Sequence, residues 1–241
     1  MFCYNEYELR MTMIILISPA KTFKSRHDIP TTSLLFPHHT ASIRNTILQY
    51  SYEAFREKLK LSDQLASYFY HLYHQQDMLL TPAIHAYDGI FYKAFDAASL
   101  NINEDKVYIV SAYYGLLRAY DGITPYRLDF NQMLVKQLSS FWKKPIKAYL
   151  VSHHSNDIWI DLTSKEFSTV LPADSHLYRI DFTGNKKLSS VELKKARGLM
   201  VRHLIKESIT TLEALKLLKF DDFSYDEEMS TEHHFIFHKK N

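Results

Sequence analysis

The chain is poor in the residues on which several classes of function depend. It has one cysteine, Cys3, which excludes an internal disulfide and fits a reducing compartment, the cytoplasm by default. Glycine is scarce: Gly89, Gly115, Gly122, Gly184 and Gly198 are the five, and no two stand close enough for a dinucleotide fingerprint or a Walker loop. Nucleotide binding through those two motifs is therefore excluded. No apolar run is long enough to cross a membrane. Met13–Ile17 is stopped by Ser18-Pro19-Ala20-Lys21, and it lacks the basic flank and long apolar core of a signal peptide. A strong charge is missing too: the net charge is +2, so any nucleic-acid role must rest on a local patch.

The 241 residues suffice for one large domain, and 46% hydrophobic with 23% charged residues is ordinary for a globular chain. Residues 1–12 read as an extension with little pattern. From Met13 onward, strand-like and helix-like segments alternate without a linker or repeat, which predicts one α/β domain with a central mixed sheet flanked by helices.

Three apolar runs read as buried strands, and each ends on polar residues. Met13–Ile17 runs into Ser18 and Lys21. Lys106–Val110 runs into Ser111-Ala112-Tyr113-Tyr114-Gly115, and from there to Arg118, Asp121, Tyr126 and Arg127. Ile158–Leu162 runs into Thr163-Ser164-Lys165-Glu166. Sites of α/β proteins form where loops leave the carboxyl ends of strands, so these three exits are expected on one side of the sheet. Further strands are predicted at Ala83–Tyr87, at Leu177–Phe182 with a hairpin partner at Lys187–Val191, and at His234–Phe237 as an edge.

Helices are predicted over Ala41–Lys60, Ser62–Gln75, Ile90–Ala97, Leu128–Lys143 and Leu193–Glu207, with a last one opening at the capping box Thr210–Glu213. In the helix of Leu193–Glu207, Leu193, Ala196, Met200 and Leu204 share one face at about 100° per residue, while Lys195, Arg202 and Lys206 lie opposite. Arg197 falls on the apolar stripe. A guanidinium there must be paired or line a cleft, and Glu166 and Asp121 are the expected partners. His71 and His74 lie a turn apart without a third metal ligand. The doublets His38-His39, His153-His154 and His233-His234 lack metal-ligand spacing and read as surface residues. No metal and no cofactor is indicated.

Four stretches, Ile14–Thr22 (IILISPAKT), Ser111–Leu128 (SAYYGLLRAYDGITPYRL), Ile160–Val170 (IDLTSKEFSTV) and Lys194–Arg202 (KKARGLMVR), occur together in an order and spacing that resembles the YaaA family of bacterial peroxide-stress proteins. The likeness runs from about Met13 to His238 and marks 13–241 as one YaaA-like domain. It implies an unusual α/β topology with a helix-hairpin-helix-like element, a basic cleft that binds duplex DNA, and a role in limiting oxidative DNA damage. The chain departs from the family pattern at Asp161 (usually asparagine), Thr163 (alanine), Phe167 (tyrosine), Asp88 (commonly basic) and Ala119 (proline), and these changes are expected to make the cleft more acidic.

Two functions follow from the residues. For DNA, Lys21, Arg118, Arg127, Lys194, Lys195, Arg197 and Arg202 supply phosphate contacts, with Tyr113, Tyr114 and Tyr126 for stacking. For an enzyme, Ser18, Lys21, Asp121, Ser164, Glu166 and Arg197 supply hydroxyls, an ammonium, carboxylates and a guanidinium. Glu166 would be the base and Arg197 or Arg127 the anion clamp, acting on a nucleobase or nucleotide. A pocket closed by Lys21, Arg118, Glu166 and Arg197 favours the second reading, and an open groove favours the first.

Overall fold

The fold is read from a computed structural model, which describes residues 12–240. Most of the expected extension, and Cys3 with it, lies outside the described residues. In chain order the elements are β1 (Met13–Ile17), β2 (Thr22–Phe23), α1 (Pro37–Leu48), α2 (Tyr52–Leu59), α3 (Asp63–His74), β3 (Thr81–Pro82), α4 (Ala83–Ala86), β4 (Tyr87–Asp88) and α5 (Ile90–Phe95). They continue with β5 (Val107–Ser111), β6 (Gly115–Arg118), β7 (Gly122–Ile123), α6 (Leu138–His153), β8 (Ile158–Asp161), α7 (Lys165–Ser168), β9 (Leu177–Gly184), α8 (Ser190–Lys206), α9 (Leu212–Leu217), β10 (Lys219–Phe220), β11 (Phe223–Thr231) and β12 (His234–Lys239).

Eight strands form one mixed sheet in the order β10-β11-β12-β9-β8-β1-β5-β6. The five in the middle are parallel, and an antiparallel pairing closes each side. Every residue of β1, β5 and β8 is buried, as expected of strands covered on both faces, whose sequence is continuously apolar. Because β8, β1 and β5 are adjacent and parallel, their exits at Asp161, Ser18 and Ser111 share one edge of the sheet. That is the expected arrangement of the three strand ends.

Two glycines permit the packing around this edge. A Cβ on Gly198 would sit 2.3 Å from the Phe91 carbonyl oxygen, so only glycine lets α8 lie directly against α5. Gly115 has φ 78° and turns β5 into β6 under the Trp142 ring, which a Cβ there would strike at 2.3 Å. The indole Nε1 of Trp142 donates to the Ala112 carbonyl at 2.9 Å, which ties α6 to the same turn.

Several boundaries differ from expectation, each for a local reason. The helix foreseen over Ala41–Lys60 is two helices, because Ser51 accepts a hydrogen bond from the Ala54 amide and starts α2 afresh. Only a short loop separates α2 from α3, whose cap is Ser62. The strand at Ala83–Tyr87 is a single helical turn between two-residue strands.

The helix foreseen over Leu128–Lys143 begins only at Leu138 and runs on through Pro145 to His153. Trp142, Ile146 and Leu150 bury one stripe of it, and that burial outweighs the roughly 3 kcal/mol that an interior proline costs. Upstream, the Asp129 amide donates to the Gln132 side chain at 2.8 Å, a local bond that competes with helix formation. Lys187–Val191 is no hairpin partner. Ser189 and Glu192 form a capping box that opens α8, and both neighbours of β9 are parallel to it. In the last helix the cap is Thr211, not Thr210. Finally, β12 is interior and not an edge, because the unforeseen β11 pairs with its outer side. That strand carries Asp226, Glu227 and Glu228, which hide its period-two pattern.

Candidate active site

The edge where β1 and β8 end, beside the middle of β9, gathers polar groups into two adjoining clusters. In the first, the chain leaving β1 brings Lys21 to Asp129, with Nζ 2.8 Å from Oδ2. Arg127 and Asp129 lie in the irregular segment that follows β7, and both line one cleft. Glu166, on α7, accepts a hydrogen bond from the Asn131 amide at 3.2 Å. Burial lifts the Glu166 carboxyl above the usual carboxylate range. The Asp129 charge adds to the lift, while the bond from Asn131 and the Lys21 ammonium partly offset it. Pro19, Ala20, Lys21, Tyr126, Arg127 and Asp129 line a cleft here of about 40 Å³, room for a few water-sized groups and far less than a drug-sized ligand needs.

Ser18 joins the two clusters. Its hydroxyl accepts from the Ser164 amide at 2.8 Å, and its carbonyl accepts from the Tyr92 hydroxyl at 2.9 Å. Ser164 stands just before α7 and makes no side-chain cap.

The second cluster is an ion-pair network. Asp161 is fully buried and accepts from the Thr163 amide at 2.8 Å, the Thr163 hydroxyl at 2.6 Å, the Ser168 hydroxyl at 2.6 Å and Arg179 Nη1 at 2.9 Å. Arg179 also pairs with Asp181 at 2.9 Å. Burial works against the Asp181 charge, but Arg179, His234 and Arg197 outweigh it and hold the carboxyl below its usual range. The charge of Asp161, expected to acidify the cleft, is thus matched by Arg179.

Arg197 is largely buried, 14% exposed, as its helical phase required. Its partner is Asp181, at 3.7 Å, and neither Glu166 nor Asp121. Burial lowers its pKa from the ordinary value despite that charge. Arg118 and Asp121 belong to neither cluster. Arg118 sits opposite Tyr108 in the β5–β6 pairing, whereas Ser111, at the carboxyl end, sits opposite Gly115. Arg118 therefore marks the other end of β5. Its guanidinium pairs there with the fully buried Asp121 at 2.9 Å and donates to the Ser33 carbonyl at 2.7 Å. Lys21, Arg118, Glu166 and Arg197 consequently do not close one pocket. Lys21 and Glu166 share a cluster, Arg197 lies in the adjoining network, and Arg118 is elsewhere.

The tyrosines are structural. Tyr113 and Tyr126 stack on each other at 5.3 Å, and Tyr126 shares hydrogen bonds with Ser111 at 2.8 Å and Tyr87 at 2.9 Å. Tyr114 donates to the Thr124 carbonyl at 3.2 Å. All three are 4–5% exposed, so no ring face is offered to a base. On α8, Lys195 pairs with Asp221 at 3.2 Å. Arg202 is not a free solvent-facing charge: it holds Asp96 at 3.1 Å and the Phe95 carbonyl at 3.2 Å. Lys194 is exposed.

His71 and His74 turn back onto the carbonyls of Ser67 and Tyr70 in their own helix. His154, expected at the surface, is buried between the Tyr108 hydroxyl at 2.8 Å and Asp157 at 2.7 Å. Asp129, Arg179 and Asp181 are not among the residues expected at the site, although the alternation Arg179-x-Asp181 marks two charges on one face of a strand.

The family model described as peroxide stress protein YaaA matches residues 13–229. Similar chains are UPF0246 proteins. The one from Clostridioides difficile is 29% identical over 95% of this chain and 100% of its own length. The Finegoldia magna protein is 32% identical over 94% and 98%, and a Streptococcus agalactiae protein is 35% identical over 68% and 72%.

Proposed function

The chain belongs to the YaaA family of peroxide stress proteins, and from that premise we propose that it limits peroxide damage by binding duplex DNA, through the face formed by α1 and α6. The observation that carries this reading is a pair of packed segments with no carboxylates of their own. Residues 29–52 and 130–156 contain no aspartate or glutamate. The two stretches pack together, with Phe36 against Trp142 at 5.6 Å and His39 against Phe141 at 5.4 Å. Lys136, Lys143, Lys144 and Lys147 are exposed on this face. At about 100° per residue the last three fall within roughly 100° of arc, with the exposed Phe141 and Val151 beside them.

Most of the cations first expected to contact phosphate are instead held by carboxylates: Lys21 by Asp129, Arg118 by Asp121, Lys195 by Asp221, Arg197 by Asp181 and Arg202 by Asp96. A cation already paired releases fewer DNA counterions than a free one, so the α6 lysines are the stronger phosphate contacts. Titration of a labelled duplex at several salt concentrations tests the reading. Lys143→Gln, Lys144→Gln and Lys147→Gln should each lower the slope of log affinity against log salt by about one. Lys195→Gln and Arg202→Gln should change it less. Absence of binding at low salt removes DNA from the function, and equal effects on α6 and α8 remove this face.

A further inference from the structure

We propose that the cleft between the β1 exit and the Tyr126–Asp129 segment is a binding site for a small organic oxyanion, a carboxylate or a phosphate monoester, with Arg127 as its counter-ion. Arg127 is partly buried, its Nε is enclosed, and that atom meets no hydrogen-bond acceptor. Every other arginine of the described residues has a carboxylate or carbonyl partner: Arg26 has Asp28, Arg44 the Tyr73 and Gln75 carbonyls, and Arg56 has Asp63. Arg118, Arg179, Arg197 and Arg202 have the partners given above, although the Nε of Arg197, paired with Asp181 only through Nη2, is also enclosed without an acceptor. An Nε–H withdrawn from water without an acceptor costs free energy that an oxyanion would recover through a charge-assisted bond, bidentate where it also meets a terminal nitrogen of the same guanidinium.

The surroundings narrow the chemistry. Lys21, 60% exposed, adds a second cation at the cleft mouth, its charge shared with Asp129. The cleft holds about 40 Å³, enough for the anionic end of a ligand and too little for a whole nucleobase. The rest of the molecule must therefore lie outside, over the mouth. Glu166 borders the same cluster, within the influence of Lys21 and Asp129. A nearby carboxylate with raised proton affinity suits a ligand whose uncharged part gives or takes a hydrogen bond. The site is separate from the α6 lysines, so it does not depend on the DNA reading.

Calorimetric titration with inorganic phosphate and, separately, with acetate tests the site. The expected result is saturable binding of one of the two at millimolar concentration. Arg127→Gln should weaken it at least tenfold and Arg127→Lys by less. Glu166→Gln should tighten it several-fold by removing a neighbouring negative charge. Lys206→Gln, exposed on α8 and outside the cleft, should leave it unchanged. The tighter of the two probes identifies the oxyanion class. Circular dichroism melts establish that each variant is folded, and Arg127→Lys keeps the test valid if Arg127→Gln is not. The proposal is overturned if neither probe saturates, or if Lys206→Gln weakens binding as much as Arg127→Gln.

Discussion

Arg118 and Arg127 both follow β5 within one short stretch of sequence and look equivalent there. In the fold they are opposites. Arg118 is locked to Asp121, whose carboxylate also accepts from the Thr32 hydroxyl at 2.8 Å and from the Arg118 amide at 3.0 Å. The pair fixes the return of the loop by joining it to the segment before α1. Arg127 has its backbone fixed instead, since its amide donates to the Tyr73 hydroxyl at 3.1 Å, while its side chain is left to the cleft. One arginine spends its charge on architecture and the other keeps it available. Arginine content alone cannot separate the two uses; the position of the nearest carboxylate does.

The comparison breaks most visibly at the architectural arginine. Asp121→Ala should cost about 3–5 kcal/mol, because it strands the Arg118 guanidinium and the Thr32 hydroxyl together. Arg127→Gln should cost below about 0.5 kcal/mol, because it breaks no ion pair and no side-chain hydrogen bond. Urea unfolding of both variants measures the contrast, and comparable losses would mean that Arg127 is structural after all.

Next in size is Arg197→Ala. The Asp181 carboxylate would retain Arg179 at 2.9 Å and His234 at 3.0 Å, so no charge is left alone. The expected loss is about 1–2 kcal/mol, closer to a hydrogen bond to a charged group than to a broken buried pair. A loss above about 3 kcal/mol would show that Arg197, and not Arg179, carries the network.

What the sequence disclosed follows a physical rule. The buried parallel strands β1, β5 and β8 were legible because covered strands need unbroken apolar runs, and their shared exit edge followed from topology alone. Arg197 was legible as an interior guanidinium from its phase on α8. Its partner was not, since Asp181 lies on a strand whose pairing with β12 is set by contacts remote in sequence. β11 was hidden because a solvent-facing strand carrying Asp226, Glu227 and Glu228 has no apolar alternation to read. The α6 helix was misplaced because Pro145 resembles a stop, and only the buried stripe of Trp142, Ile146 and Leu150 shows that it is crossed. The lysines of that helix went unnoticed for the same reason.

The smallest effect sharpens the comparison on the side of Arg127, at Glu166. Burial and the Asp129 charge raise the Glu166 pKa in the folded chain, so the native state holds this proton more tightly than the unfolded state does. Between the unfolded value, about 4.3, and the higher folded value, the native state binds more protons than the unfolded one. Stability from this group is therefore fully present in acid and is lost as pH rises through that window. At neutral pH an ionised Glu166 is a net burden. Glu166→Gln should accordingly be slightly more stable than the parent chain at pH 7, and the two should converge as pH falls below about 4. Melting curves of both proteins across pH 3.5 to 8 decide the matter. A variant less stable than the parent at pH 7, with no convergence in acid, would place Glu166 among the supporting ion pairs, as Asp121 is, and not beside an open cleft.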